Sequence, residues 1–350
     1  MTYNDAVPGF VPGKNKAGDR EVSMSHFARL CLTAGLLLPL TAQADDTRPY
    51  DKASFYFAAH QDDWQLFMNP SAFLDVRSAR TKTVFVHLTA GDDGSGMGMR
   101  GRKHPFYLAR ENGAEAAIRF MADANEMPVE KVAERKSFNG HSIYRVSYRN
   151  TVTYFLRVPD GNGNGLGYPE TGNQSLRRLA DGQSDRLRAI DGSTVYRGWD
   201  DLTSTLRALI DHERAGAPAV QINVGETDPV INPGDHSDHQ MTAKAALEAT
   251  KNLTCARRLY FVDYASARLP ENLDAQQRDM ESAVFAVTAA GIRALDHSSA
   301  WHHYNDTYVG RNYFRAEEGT GHCDAPRPEI AAAPQKTMSP GQQLAIAKPK

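Results

Sequence analysis

The sequence predicts a layered α/β fold with a mostly parallel β-sheet, and three observations lead to it. Short runs of apolar residues have the length of buried strands. Segments with apolar residues at helical spacing follow these runs. The two signals alternate over most of the chain, which is typical of right-handed crossovers between parallel strands.

The predicted strands and helices follow one another in a regular order. Residues 54–59 and 83–89 are the first two predicted strands, because both are apolar and both end in polar or Gly-rich turns. A helix is predicted within residues 107–125 from the spacing of its alanines and larger apolar residues. Two further strand and helix pairs are 219–224 with 240–251, and 259–262 with 276–290.

One segment departs from this order. Apolar residues alternate within 142–158 around Arg149 and Asn150, which predicts an inserted antiparallel hairpin attached to the sheet. The next stretch, 160–165, alternates Asp or Asn with Gly and is a loop by composition. It resembles a calcium-binding loop only weakly, because the acidic residue that such loops carry at their twelfth position is missing. A plain surface loop is the main interpretation, with metal binding as the alternative.

The ends of the chain have compositions that set them apart. Residues 30–40 are apolar, follow His26 and Arg29, and precede an A-x-A sequence that ends at Ala44. This arrangement predicts a secretory signal and export to the periplasm or the medium, with cleavage near Ala44. The apolar run is too short for a membrane span, which needs about 20 residues, and a buried core helix is the alternative.

Three segments follow from these signals. We predict an N-terminal extension and signal peptide over residues 1–44, a single catalytic domain over 45–315, and a disordered tail over 316–350. Cys31 would leave with the signal, so that Cys255 and Cys323 could form one disulfide. Neither cysteine belongs to a C-x-x-C motif, so the sequence does not support a thiolate zinc site.

The charge balance narrows the class of partner. Lys and Arg number 40 and Asp and Glu number 42, for a net charge of −2. This balance provides no net positive field to attract nucleic acid or an anionic membrane. We therefore expect no nucleic-acid partner, and the charge balance suits an uncharged substrate.

Two compact blocks of His and Asp carry the chemistry. Residues 60–63 (H-Q-D-D) directly follow the first predicted strand, and residues 236–239 (H-S-D-H) follow a later one. Loops at the carboxyl ends of parallel strands converge on one crevice, so the two blocks can meet. The alternative is that both blocks merely cap the helices that follow them.

The residue types in these blocks suit a catalytic metal ion. Zn²⁺ takes imidazole nitrogens and carboxylate oxygens and leaves a position open for catalysis. His60, Asp63 and His239 can supply a His₂Asp set. Asp62 then remains free as a general base. Because both blocks are compact, follow strands and open helices, the sequence favours a catalytic site for a metal ion such as Zn²⁺ over helix capping alone.

Both blocks resemble the A-H-P-D-D and H-P-D-H motifs of the PIG-L/LmbE-like family of zinc-dependent N-acetylglucosaminyl deacetylases. Residues 89–92 (T-A-G-D) resemble the turn after that family's second strand, and residues 110–117 resemble its R-E…E…A helix. The resemblance covers about residues 53–265. It implies a Rossmann-like layered fold and hydrolysis of an N-acetyl group on an amino sugar or glycoconjugate.

The resemblance also implies roles for individual residues. Zinc would be held by His60, Asp63 and His239. Asp62 would be the base that deprotonates the attacking water. His236 would stabilise the oxyanion or protonate the departing amine, and Asp238 would orient a neighbouring imidazole.

Some positions depart from the family pattern. Trp64 stands where an acidic residue is common, and it could stack on a sugar ring or pack under its helix. Gly234 stands where some members carry a tyrosine, so no phenolic oxyanion donor is assigned there. Arg110 could reach substrate hydroxyls or remain a solvated charge. The long segment 126–216 could shape the cleft or form an oligomer contact.

The sequence leaves two alternatives to the deacetylase. The same metal site could hydrolyse another N-acyl amide, or the chain could be a non-catalytic carbohydrate-binding protein on a degenerate deacetylase scaffold.

Overall fold

The structure is a computed structural model that describes residues 50–124 and 126–323. The predicted signal segment and residues 324–350 lie outside the described residues. The described strands are β1 (Lys52–Ala58), β2 (Thr81–Thr89), β3 (Val132–Phe138), β4 (His141–Tyr148), β5 (Thr151–Val158), β6 (Leu187–Arg188), β7 (Val195–Tyr196), β8 (Ala219–Gly225), β9 (Arg257–Phe261) and β10 (Phe314–Glu317). The helices are α1 (Asp63–Phe67), α2 (Ser71–Arg77), α3 (Phe106–Ala122), α4 (Leu176–Ala180), α5 (Trp199–Glu213), α6 (Ser237–Ala249), α7 (Ala275–Ala294) and α8 (Trp301–Thr307).

One mixed sheet organises these elements. Its eight strands lie in the order β10-β9-β8-β1-β2-β5-β4-β3, and β6 and β7 form a separate two-stranded ribbon. The five central strands, β9 to β5, pair in parallel. Antiparallel strands flank them, with β10 on one side and β4 and β3 on the other. The predicted α/β class and the mostly parallel sheet are confirmed.

The predicted hairpin is present and is part of this sheet. β4 and β5 pair antiparallel across the turn at Arg149, and β5 also pairs in parallel with β2. The hairpin therefore widens the sheet at one edge. The rest of segment 126–216 also belongs to the domain, because α5 packs buried leucines against the sheet's core.

Apolar side chains on both faces of the sheet explain why the central strands are almost continuously apolar. Phe55 and Phe57 of β1 point into a core that is completed by α4, α5 and α6. Tyr56 and Ala58 point into a second core, with α1, α2, α3 and α7. Successive residues of a strand face opposite sides, so a strand covered on both faces needs apolar residues at every position.

The ordered chain extends further than the composition of its end indicated. We expected a tail from residue 316, but β10 pairs Ala316 with Leu259 and Glu317 with Arg258. A disulfide joins Cys255 to Cys323 across a sequence separation of 68 residues. Edge pairing and the covalent link therefore place residues 316–323 in the folded domain. Polar edge strands bury little apolar surface, which is why composition did not reveal this one.

Within the described ranges, no helix is both long enough and apolar enough to cross a membrane.

Glu213 at the end of α5 is expected to be important for stability. Its buried carboxylate lies 2.8 Å from the Lys82 amine and also contacts Arg145 and the Tyr154 hydroxyl. Burial alone would raise the pKa of Glu213, but Lys82 and Arg145 lower it to about 2. We expect Glu213→Gln to lower the free energy of unfolding in urea at pH 7 by about 3–5 kcal/mol, because it removes the buried negative charge that faces Lys82 and Arg145.

The pH dependence has a definite sign. A lowered pKa means that the charged carboxylate stabilises the fold above pH ~4.5 and that this contribution is lost as the pH falls towards about 2. The deficit of Glu213→Gln should therefore shrink over that range. Glu134→Gln is the matched control, because Glu134 pairs with the same Arg145 but is exposed, and we expect a change below about 1 kcal/mol. Equal losses in the two variants would contradict the prediction.

Candidate metal centre

The site lies at the carboxyl ends of β1 and β8, where the chain changes direction across the sheet. From β1 the chain runs outwards to β2 and β5, and it returns to β8 and β9 on the other side. A crevice opens at such a point in a parallel sheet. The two His and Asp blocks meet there, since the ring centroid of His60 lies 4.7 Å from that of His236 and 5.2 Å from that of His239.

Local hydrogen bonds show which block residues act as helix caps. Asp62 occupies the N-cap position of α1, but its side chain makes no capping hydrogen bond. Asp63 instead accepts a hydrogen bond from the backbone N–H of His60 through Oδ2, at 2.8 Å. His236 does cap α6, because its Nδ1 accepts a hydrogen bond from the backbone N–H of Asp238. The capping interpretation thus holds for His236 and fails for Asp62.

Three buried side chains converge on one point. Asp63 Oδ1 lies 3.4 Å from His60 Nδ1 and 3.3 Å from His239 Nε2. Two ligands on a tetrahedral zinc ion with bonds of ~2.0–2.1 Å stand about 3.3–3.4 Å apart. Among the described residues, the buried His239 Nε2 has no hydrogen-bond partner. The separations and the unpartnered nitrogen fit the predicted His₂Asp set.

Two other groups of possible ligands occur in the described part of the chain. Their members are His60, Asp160, His236 and Asp238 in one group, and Asp235, His239 and Asp263 in the other. His60 Nε2 lies 3.6 Å from Asp238 and 3.7 Å from Asp160, longer than a tetrahedral edge. His239 Nδ1 lies 2.8 Å from Asp235, which is an ordinary hydrogen bond. We therefore assign Asp160, Asp238 and Asp235 as carboxylates that orient the imidazoles of His60 and His239, and not as metal ligands.

Carboxylates make the surroundings of both imidazoles strongly negative. Burial alone would lower the pKa of His60, but Asp63 and Asp238 raise it to about 10. Burial would likewise lower the pKa of His239, yet Asp63 and Asp235 raise it well above its usual value. The same negative charge favours a divalent cation between the imidazole nitrogens.

Asp235 is a supporting residue that the motifs do not include. It accepts a hydrogen bond from His239 Nδ1, which fixes the tautomer whose Nε2 lone pair faces Asp63. We expect Asp235→Asn to weaken zinc binding by about 10–100-fold in competition with a chromophoric chelator. Asp228→Asn in the same loop is the control, because Asp228 is exposed and its carboxylate accepts a hydrogen bond from the backbone N–H of Val230 in that loop. Unchanged zinc affinity in Asp235→Asn would contradict this role.

Asp62 faces the cleft as part of an ion pair. Arg110 Nη2 donates to Asp62 Oδ1, and Arg110 Nη1 donates to the Gly91 carbonyl at 3.2 Å. Both side chains are only 14% exposed. Arg110 is therefore not a solvated surface charge, and it holds the Asp62 carboxylate in one orientation next to Asp63.

The Asp/Asn/Gly loop after β5 contributes to the site, which its composition did not indicate. Gly161 N–H donates to Asp238 Oδ2 at 2.7 Å, and the Asp160 carboxylate lies beside His60 Nε2. A Cβ at Gly161 would collide with the Asp238 carboxylate. The signal that could have identified Asp160 is its position directly after a central strand, the same rule that located His60.

A cleft of about 280 Å³ opens over these groups. Its lining includes His60, Asp62, Asp63, Arg110, Asp160, His236, Tyr264 and Tyr304. His239 and Asp238 lie behind this surface. The candidate base Asp62 thus borders the same space as His60 and Asp63, and a small substrate can enter that space.

Trp64 does not border the cleft, so the suggestion that it stacks on a sugar is wrong. Its side chain is fully buried in the second core, with its ring 4.6 Å from that of Phe85. The first turn of α1 carries Asp63 towards the site and turns Trp64 towards the sheet. The packing interpretation is therefore the correct one.

Comparison with known proteins gives a structural likeness to a deacetylase. No family model matches the chain, and no curated protein matches it. Among solved structures, N,N′-diacetylchitobiose deacetylase from Pyrococcus horikoshii, complexed with its inhibitor MPG, is similar at a TM-score of 0.42 and 15% identity. The match covers 79% of this chain and 88% of that one. A likeness at this TM-score and identity carries no argument about the chain. The evidence for the fold and the site is the strand pairing and the side-chain distances of the protein itself.

Proposed function

We propose that this protein is a zinc-dependent hydrolase that removes the acetyl group from an N-acetylated amino sugar or glycoconjugate. The observation that carries the proposal is the convergence of Asp63, His60 and His239, with the separate carboxylate of Asp62 facing the same cleft. The resemblance of both blocks to the deacetylase motifs supports amide hydrolysis on a sugar.

His60, Asp63 and His239 would hold the metal. A bound zinc ion would supply a Lewis acid that lowers the pKa of water and polarises the amide carbonyl. The site fits such an ion by its tetrahedral ligand separations and its negative surroundings.

The chain's own residues account for the proton transfers. Asp62 accepts a proton from the attacking water, and Arg110 fixes the carboxylate for that task. Burial and the neighbouring imidazoles lower the pKa of His236 to about 3, so this residue is neutral at neutral pH. Its Nδ1 accepts a backbone hydrogen bond, which leaves the proton on Nε2. That N–H can donate a hydrogen bond to the carbonyl oxygen or to the departing nitrogen, and the proton that Asp62 has accepted passes to that nitrogen as the C–N bond breaks.

A substrate screen tests the proposal directly. The purified, zinc-loaded protein is incubated with N-acetylglucosamine, its chitooligomers and N-acetylhexosamine glycosides, and released primary amine and acetate are measured with and without chelator. We expect chelator-sensitive release of equal amounts of amine and acetate from at least one substrate. Release of a longer acid only from longer N-acyl analogues would indicate a different amidase. No release from any compound would reject the proposed function.

We also propose that the protein works outside the reducing cytosol. The predicted signal over residues 1–44 and the disulfide between Cys255 and Cys323 support this location, because disulfides persist mainly in oxidising compartments. Fractionation of the producing cells and mass spectrometry of the N-terminus test it. A cytosolic protein that retains residues 30–40 and two free thiols would contradict the proposal.

A further inference from the structure

We propose that Tyr264 is a further catalytic residue, whose hydroxyl donates a hydrogen bond to the carbonyl oxygen of the scissile amide as that oxygen becomes negative. The inference rests on the proposed hydrolase function. Tyr264 belongs to neither His/Asp block. It opens a 3₁₀ turn, Tyr264–Arg268, that follows β9.

The reaction needs such a donor. When water adds to an amide, the carbonyl oxygen takes up negative charge, and one preorganised donor to it contributes about 10²–10³ in kcat. Several donors along the cleft are already engaged. Arg110 binds Asp62 and Gly91, and the Tyr168 hydroxyl donates to Asp93 at 3.2 Å.

Tyr264 lies beside the metal-binding side chains and borders the cleft. Its ring packs edge-on against that of His239, with centroids 4.9 Å apart, and lies 6.4 Å from that of His236. It also lines the cleft. A substrate that reaches the metal-binding side chains therefore passes along this ring. His236 then remains available for the departing nitrogen.

A second tyrosine borders the same space. Tyr304 lines the cleft together with Tyr264, and its ring packs edge-on against that of Tyr308 with centroids 5.5 Å apart.

The ring is held in place before substrate arrives. Tyr308 stacks on it with centroids 5.7 Å apart, and Phe67 packs at 6.0 Å. The next residue, Ala265, donates its backbone N–H to the side chain of Asn232, in the loop that leads to the second His/Asp block. Such a donor needs no reorganisation at the moment of reaction.

Tyr264→Phe tests the inference, with Tyr308→Phe as the matched control that removes a hydroxyl from the neighbouring stacked ring. In the zinc-loaded full chain, we expect Tyr264→Phe to lower kcat by about 10²–10³-fold. We expect KM and zinc content to stay close to wild type and Tyr308→Phe to retain activity. Calorimetry should show weaker binding of a phosphonate analogue, which presents a negative oxygen, to Tyr264→Phe alone.

Each other outcome has one meaning. If the wild type is active and Tyr264→Phe keeps most of its kcat and analogue affinity, the inference is overturned while the proposed function stands. Loss of zinc from Tyr264→Phe, or an equal loss of kcat in Tyr308→Phe, would also overturn it, because the role would then be structural. A wild type that is inactive on every substrate would reject the proposed function, and the inference with it.

Discussion

Asp62→Asn is expected to lower kcat by about 10²–10⁴-fold while the protein retains its zinc. Asp62 does not cap its helix and is not one of the three converging metal-binding residues. Arg110 orients its carboxylate at the edge of the cleft. Asparagine keeps the shape and a partner for Arg110 but cannot accept a proton from water. The measurement is steady-state kinetics on the best substrate, with zinc content determined on the same sample.

A matched control separates base chemistry from the loss of an ion pair. Asp296 pairs with Arg102 at 3.7 Å and is more than half exposed, so Asp296→Asn removes an Asp–Arg pair outside the cleft. We expect it to leave kcat unchanged. Asp62→Ala should be at least as inactive as Asp62→Asn. If either Asp62 variant kept more than about a tenth of the wild-type kcat with zinc bound, another group would have to be the base.

His239→Ala is expected to abolish both zinc binding and turnover. The variant removes one of the three converging ligands and leaves Asp63 and Asp235 facing an unfilled space. In the wild type, zinc at 100 times its Kd should stabilise the fold by about 2.7 kcal/mol. His239→Ala should show no such zinc-dependent rise in Tm. Metal analysis after dialysis, together with thermal unfolding, provides the check.

Zinc binding should also depend on pH, because imidazole must lose its proton to bind metal. In the metal-free protein the pKa of His60 is raised to about 10, so protons compete with zinc throughout the neutral range. The apparent affinity for zinc should therefore rise as the pH increases and fall as it decreases.

His302→Ala is the control for His239→Ala, since His302 is exposed outside the cleft. Retention of one zinc per chain by His239→Ala would refute the ligand assignment.

The sequence was sufficient to predict the central sheet and the meeting of the two His/Asp blocks. Both predictions depend on local patterns: apolar runs identify buried strands, and strand ends identify the edge where loops converge. The residues from His60 to Asp63 follow β1 directly, and His239 lies in the first turn of α6. These residues lie within a few positions of a strand end or a helix start, so the position of that element determines where they lie.

The supporting residues Asp160 and Tyr264 were not predicted, because they reach the site from distant parts of the chain. Asp160 follows β5, whose place beside β2 depends on long-range pairing. Tyr264 follows β9 and faces the cleft through a short 3₁₀ turn that no sequence period indicates. Trp64 is close to the site in sequence, yet the sequence did not determine which way its side chain points. Its sequence position suits either the cleft or the core, and only the contact with Phe85 decides between them.

The glycine loop after β5 has a consequence for protein engineering. By composition, residues 160–165 would be chosen as a permissive place for an inserted tag or a randomised library. A side chain at Gly161 would collide with Asp238, and one at Gly165, where φ is +76°, would collide with Ser237. In a deep mutational scan Gly161 and Gly165 should therefore be as intolerant as residues of a buried strand, whereas the exposed Gly163 should accept substitution.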